Sequence, residues 1–185
     1  MNSKRQILKL SLLISMFSLF TACSSDDSKT QNNINYETKI LGTWNLISHI
    51  SSNSITETRT TIVEIGSDYN YTIEFTNNPK FINTNGNYNV NIKETNNQNQ
   101  TINFNEVINS NANQQEGFHI GEWSINNGKL ITRVYDIEPN EPGSYELTTE
   151  IVELTDNRLV LKTNNSASSS NNYTVTGNTT LIYER

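Results

Sequence analysis

The chain has 185 residues, which is enough for one domain of ordinary size. It carries 13 basic and 19 acidic residues, and this acidic balance argues against nucleic acid or anionic lipid as a partner. Its single cysteine excludes an internal disulfide and any metal site built from several cysteines.

The N-terminus has the pattern of a signal peptide. A basic head with Lys4, Arg5 and Lys9 but no acid leads into residues 10–20, which are apolar apart from three serines. That apolar run is too short to form a stable transmembrane helix. We therefore predict that residues 1–22 are a signal peptide that is removed. The rest of the chain keeps ten basic against 19 acidic residues, a formal charge of −9.

The apolar run ends in Leu19-Phe20-Thr21-Ala22-Cys23. This segment resembles a lipobox, with Phe20 where leucine is usual. The resemblance implies that Cys23 receives a diacylglycerol through a thioether and that a dedicated signal peptidase cuts before it. Each buried methylene of the acyl chains contributes roughly 0.8 kcal/mol, so two or three chains make a permanent anchor. We predict an outer-membrane lipoprotein held by Cys23; plain secretion after cleavage near Ala22 is the alternative.

A polar segment follows the cysteine. Ser, Asp, Asn, Gln and Thr dominate it, and this composition predicts that residues 23–39 are an acylated cysteine and a disordered tether. Ser24-Ser25-Asp26-Asp27 resembles the short acidic signal that Bacteroidetes-type lipoproteins use for delivery to the cell surface. Any tether also needs polar residues, so the sequence leaves a periplasmic and a surface location open.

From residue 40 onward, large apolar residues alternate with polar ones, the period of a half-buried strand. The clearest case is Tyr69, Tyr71, Ile73 and Phe75, each followed by a polar residue. No stretch longer than about two turns has helical periodicity. We predict eight to ten strands near residues 41–51, 57–66, 69–76, 80–93, 100–108, 116–126, 129–137, 145–155, 158–164 and 172–184.

Motifs that tolerate left-handed backbone separate these runs and predict turns. They are Asn77-Asn78-Pro79, Asn85-Gly86, Asn126-Asn127-Gly128, Asp156-Asn157 and Gly177-Asn178. We also predict a longer loop at residues 138–143 and mobile loops at residues 109–115 and 164–172. Many short antiparallel strands without helices indicate a sandwich or a barrel, and a closed barrel leaves no exposed edges.

The opening segment Ile40-Leu41-Gly42-Thr43-Trp44-Asn45-Leu46-Ile47-Ser48 resembles the first strand of lipocalins and of the lipocalin-like domains common in Bacteroidetes lipoproteins. Further blocks at residues 71–77, 121–130, 154–161 and 181–185 resemble the same family, in the same order. Together they cover most of residues 40–185.

The resemblance implies one all-β domain at residues 40–185, an antiparallel up-and-down barrel of about eight strands. Its small hydrophobic interior holds a ligand cavity in some members. It also implies a structural role for Trp44, which would close one end of the barrel against a basic side chain from the last strand. Arg185 matches that basic residue and would make a cation–π contact.

Residues with catalytic potential are few. His49 and His119 are far apart and lack a spaced histidine or cysteine partner, so we interpret them as ordinary strand or loop histidines. No glycine-rich phosphate loop or nucleophile elbow is present. We therefore predict no enzyme, no catalytic residue, no cofactor and no metal site.

The aromatic residues at alternating positions have two candidate roles. They either fill the core, as small barrels require, or line a cavity for a small hydrophobic or amphipathic molecule. The candidate cavity residues are Tyr71, Phe75, Tyr88, Phe104, Trp123 and Tyr135. We predict a membrane-anchored binding module without catalysis. The alternative is a cell-envelope interaction protein with a filled barrel that contacts a protein or glycan through its loops. The ligand's identity and the oligomeric state stay open.

Overall fold

The structure is a computed structural model that describes the backbone of residues 36–138, 141–168 and 174–185, and the side chains of residues 36–133, 145–166 and 174–185. The predicted signal peptide, Cys23 and most of the predicted tether lie outside these ranges. The described residues form nine strands: β1 (Gly42–Ile55), β2 (Thr60–Asn77), β3 (Lys80–Thr95), β4 (Thr101–Ser110), β5 (Gly121–Asn126), β6 (Lys129–Glu138), β7 (Glu141–Leu154), β8 (Arg158–Ser168) and β9 (Thr174–Glu184).

Eight of these strands close into a barrel. Each pairs antiparallel with its neighbour in the chain, and β9 returns to pair with β1 from Asn45↔Glu184 to Ile55↔Val175. β4 is the extra strand. It forms a hairpin with β3, and β5 then joins β3 at its other end, through Phe81 and Ile82 only. The predicted all-β up-and-down barrel is confirmed.

Two predicted strands, 57–66 and 69–76, are in fact the single strand β2. Its pairing with β3 is irregular between Ser67 and Asn70, where Asp68 has a positive φ of 53°. The irregularity is a β-bulge, which bends a strand without ending it. The break in alternation between the two predicted strands is therefore the bulge itself.

Two of the predicted turns lie inside strands. Asn85-Gly86 belongs to β3, where Gly86 has φ +95° opposite the β2 bulge and a Cβ would lie 1.9 Å from the Asn70 carbonyl oxygen. Gly177 lies in β9, where a Cβ would lie 2.1 Å from the Ser52 carbonyl oxygen. Both glycines permit a close approach of strands rather than a reversal of the chain.

Three other predicted turns join strands as expected. The hairpin between β5 and β6 has positive φ at Asn127 (51°) and Gly128 (73°), as a type I′ turn requires. Residues 77–79 and 156–157 connect β2 to β3 and β7 to β8. The loop predicted at 138–143 is shorter, since β7 begins at Glu141. Its Pro142 is the second residue of the strand, a position where a missing donor is tolerated.

One end of the barrel is closed by aromatic packing. Residues 36–39 form a helical turn, and the Trp44 Nε1 donates to the carbonyl oxygen of the fully buried Ile40 at 2.8 Å. The Arg185 guanidinium carbon lies 3.8 Å from the centroid of the Trp44 ring. Arg185 also donates to the carbonyl oxygens of Lys39 and Leu41. The Trp44–Arg185 contact that the resemblance implies is thus present, and residues 36–39, assigned to the tether, pack on the barrel.

The interior changes character along the barrel axis. The half near Trp44 is apolar and filled by side chains such as Phe75, Leu130, Leu159 and Tyr183. The other half is lined by hydroxyl and amide groups. No helix within the described ranges has the length and apolar content to cross a bilayer.

Candidate ligand cavity in the polar half of the barrel

The polar half of the barrel contains a cavity of about 610 Å³, called here the mouth cavity. β1, β2, β7, β8 and β9 supply most of its wall. Part of that wall is a hydrogen-bonded set: Asn165 Nδ2 donates to Asn53 Oδ1 at 2.8 Å and to Thr179 Oγ1 at 3.0 Å, and Thr179 donates to Ser51 at 3.1 Å. Thr163 adds a further hydroxyl. These donors and acceptors form a fixed polar surface.

Apolar side chains face the same space. Phe118, Leu147 and Val175 line the mouth cavity together with the polar set. Its two acids differ in environment, because Glu146 forms a salt bridge with Arg133 whereas Glu64 lies against His49. The mixture suits a small molecule that carries both apolar and polar parts.

The β4–β5 segment, residues 111–120, lies beside the stretch of β3 between Ile82 and Gly86, which pairs with neither β4 nor β5. The side-chain amide of Gln115 acts there like a paired strand residue. Its Oε1 accepts from the Thr84 backbone N at 2.6 Å, and its Nε2 donates to the Thr84 carbonyl oxygen at 3.2 Å. The Ser110 and Thr84 hydroxyls lie 2.6 Å apart beside it. Residues 109–115, predicted to be a mobile loop, are therefore tied to the barrel wall.

Tyr71 holds the middle of the β4–β5 segment. Its hydroxyl donates to the Glu116 carbonyl oxygen at 2.5 Å. Gly117 lies so close that a Cβ would be 2.0 Å from this hydroxyl, and its φ is +137°. Glycine alone adopts such a backbone at low cost. The contact fixes Phe118, which reaches both the mouth cavity and a second one.

The second cavity, called here the side cavity, has a volume of about 230 Å³. It shares Glu64 and Phe118 with the mouth cavity, and His49, Tyr88 and Gly117 also line it. Its remaining wall is the face of the β3–β4 hairpin that carries Val90, Ile92, Glu106 and Ile108. The two cavities thus meet at one carboxylate and one aromatic ring.

His49 is buried with both ring nitrogens lacking a hydrogen-bond partner among the described residues. Its Nε2 lies 3.8 Å from Glu64 Oε2. Burial lowers the pKa of His49 because it penalises the charged ring, and Glu64 opposes this only in part. The imidazole is therefore mainly neutral at pH 7, and its contact with Glu64 is not an ion pair at that pH.

His119 is also buried without a partner in the described part of the chain, but it lines neither cavity. Burial lowers the pKa of His119 to about 4. Two histidines that the sequence suggested were ordinary are thus both desolvated. Within the described ranges no three His, Cys, Asp or Glu side chains come together as a metal site.

The six candidate cavity residues have different environments. Tyr71, Phe75 and Trp123 are buried in the core and line neither cavity; the Phe75 and Trp123 rings lie 5.7 Å apart, edge to face. Tyr88 lines the side cavity. Phe104 lies on β4, 42% exposed, and lines neither cavity. The backbone of Tyr135 lies in β6, but its side chain is outside the described residues.

Comparison with known proteins adds no further assignment. No protein-family model, no curated protein and no solved structure matches this chain.

Proposed function

We propose that this protein is a membrane-anchored binding module without catalysis: a lipoprotein held by a lipid on Cys23, whose barrel binds a small amphipathic molecule in the mouth cavity. The mouth cavity is the observation that carries the proposal. Its volume of about 610 Å³ lies in the range of small-molecule sites. The resemblance of the barrel's motifs to lipocalin-like domains and the lipobox-like segment before Cys23 support the same proposal.

The walls favour an amphipathic ligand over a purely hydrophobic one. Ser51, Thr163 and Thr179 present hydroxyls that bond to neighbouring side chains, and an apolar molecule would leave the remaining hydrogen-bonding capacity of these groups without water. Leaving a buried polar group unsatisfied costs about 1–3 kcal/mol. A ligand with a polar part facing these residues and an apolar part against Phe118 and Leu147 avoids that cost.

Native mass spectrometry of the protein purified from its own host tests the proposal. We expect a fraction of the molecules to carry a non-covalent small-molecule adduct beyond the covalent lipid. Val175→Trp introduces a large side chain into the mouth cavity and should remove the adduct. Thr176→Trp, on the exposed face next to it, is the matched control and should keep it. Bare protein alone, obtained repeatedly under gentle conditions, would count against ligand binding.

A second candidate function follows from β4. Among the described residues this strand pairs only with β3, and Ile102 and Val107 on it are 63% and 61% exposed. A free edge with exposed apolar side chains suits an extended segment of another cell-envelope protein, added as a further strand. Val107→Lys should abolish such a complex while leaving any small-molecule adduct intact. If Val107→Lys removes the small-molecule adduct but leaves the protein complex intact, binding of a partner strand at β4 is excluded.

A further inference from the structure

The side cavity is walled by aromatic rings. The His49 ring centroid lies 5.8 Å from that of Tyr88 and 6.2 Å from that of Phe118, both edge to face. Tyr88 is in turn stacked on Tyr69 at 5.8 Å, which fixes its orientation. Aromatic faces carry partial negative charge, and several around one space attract a cation, above all a substituted ammonium group.

The charged side chains that line the two cavities are all acidic among the described residues. Glu64 lines each of them, Glu146 the mouth cavity and Glu106 the side cavity. Among the described residues no lysine or arginine lines either one. Glu64 points to the interior, with about a quarter of its side chain exposed. A carboxylate there, with no cationic side chain lining the space, favours a cationic ligand.

His49 gives an independent indication of a ligand. Its side chain is buried, lines the side cavity, and has no hydrogen-bond partner for either nitrogen among the described residues. A neutral imidazole has one acceptor nitrogen. Nε2 and Glu64 Oε2 lie 3.8 Å apart, close enough for one ammonium group to contact both side chains.

We propose that the side cavity binds a substituted ammonium group between Glu64, His49 and the aromatic rings, so that the ligand of the barrel is a cationic amphiphile. This inference rests on the proposed function and names the class of its ligand.

The apolar part of such a ligand has a surface to lie on. On β3 and β4, directly opposite residues share a face, and Phe104 stands opposite Ile92 while Ile102 stands opposite Glu94. Ile92 lines the side cavity, so Phe104 and Ile102 continue its face outward. Both are exposed, and an alkyl chain that leaves the cavity would cover them. The same arrangement accounts for apolar residues on an otherwise Asn-rich hairpin.

Isothermal titration calorimetry on residues 24–185, which contain all nine strands, tests the inference with three probes: hexylammonium, which has N–H donors for both His49 and Glu64, hexanol and hexanoate. We expect the cation to bind at least tenfold more tightly than the other two. Glu64→Gln should weaken the cation at least tenfold and leave hexanol unchanged. Glu74→Gln, an exposed acid on the same strand, is the matched control and should change nothing. Phe118→Leu should weaken the cation about two- to fivefold, as loss of one cation–π partner implies.

The outcomes separate this inference from the proposed function. If hexanol or hexanoate binds as tightly as the cation, the ammonium site is wrong while a ligand-binding barrel stands. If none of the three probes binds, the ammonium site is also wrong, and adducts on the host-purified protein decide the proposed function. If Glu64→Gln does not fold, the probe preference of the unmodified protein and the effect of Phe118→Leu still decide the matter.

Discussion

The buried His119 makes the stability of this protein depend on pH in a predictable direction. In the unfolded chain a histidine takes up a proton near pH 6.5, whereas burial lowers the pKa of folded His119 to about 4. The unfolded state therefore binds more protons between these values. The contribution of His119 to the free energy of unfolding is greatest above pH 7 and falls as the pH drops. It levels off only when His119 is protonated in the folded state as well.

The size of the effect follows from that shift. A difference between pKa values of 6.5 and about 4 corresponds to roughly 3 kcal/mol in total, of which about 2 kcal/mol is lost between pH 7.5 and pH 5. The group is fully buried, so no discount for solvent screening applies. His49, whose pKa is also lowered by burial, adds to the fall in the same direction.

Urea unfolding followed by tryptophan fluorescence at several pH values between 7.5 and 5 measures this dependence. His119→Leu and His119→Gln remove the titration while keeping a side chain of similar size. Between pH 7.5 and pH 5, we expect the free energy of unfolding of either variant to fall by about 2 kcal/mol less than that of the original protein. The carboxylates and His49 are common to all three proteins and cancel in the comparison. An equal fall in stability in folded variants would refute the argument from burial.

Three further predictions concern other parts of the chain. Arg185→Ala removes the stacking on Trp44 and the hydrogen bonds to Lys39 and Leu41. The free energy of unfolding, measured by urea titration, should fall by about 1–2 kcal/mol, and by less in Arg185→Lys. Gly117→Ala should cost about 1–3 kcal/mol through its positive φ and its clash with the Tyr71 hydroxyl, and Tyr71→Phe should relieve part of this in the double variant. Cys23→Ala should move the protein from the membrane to the soluble fraction of its host; a variant that stays with the membrane would rule out the lipid anchor.

The architecture was predictable because most of the chain obeys a strict alternation. Tyr71, Ile73 and Phe75 point inward as the period of two requires, and all three are buried. The hairpin at Asn127-Gly128 follows from its composition alone. Here local pattern, turn chemistry and tertiary packing agree, which is the condition under which sequence patterns are informative.

The site was not predictable because bulges shift the phase of that alternation. Counting back from Tyr69 by twos places Ile65 inside and Glu64 outside. The bulge between Ser67 and Asn70 reverses this, so Glu64 lines both cavities and Ile65 is 53% exposed. A one-residue shift moves every side chain of a strand to the other face.

β1 behaves in the same way. Trp44 and Leu46 point inward, and the irregularity between Leu46 and Ser48 then turns His49 and Ser51 inward, leaving Ile50 54% exposed. Polar groups therefore enter the barrel at one end through changes of register rather than through a motif. In the sequence, Gly66-Ser67-Asp68 before Tyr69 marks the β2 bulge. We find no comparable feature in β1.

The β4–β5 segment was missed for another reason. Residues 109–115 are rich in Asn, which predicts a mobile loop, and nothing local shows that Gln115 would pair with the backbone of Thr84. Gln115 can bond to Thr84 because neither β4 nor β5 pairs with β3 at that residue. This unpaired stretch of β3 exists only once the barrel has formed. Only the position of Phe118 beside a glycine hints that the segment turns inward.

A crystal structure of the protein purified from its own host would show whether the mouth cavity holds a small amphipathic molecule. We expect electron density for a non-protein molecule between Phe118 and Thr163, with a polar part facing the Ser51 and Thr179 hydroxyls. A mouth cavity that contains only ordered water in the host-derived protein would contradict this proposal.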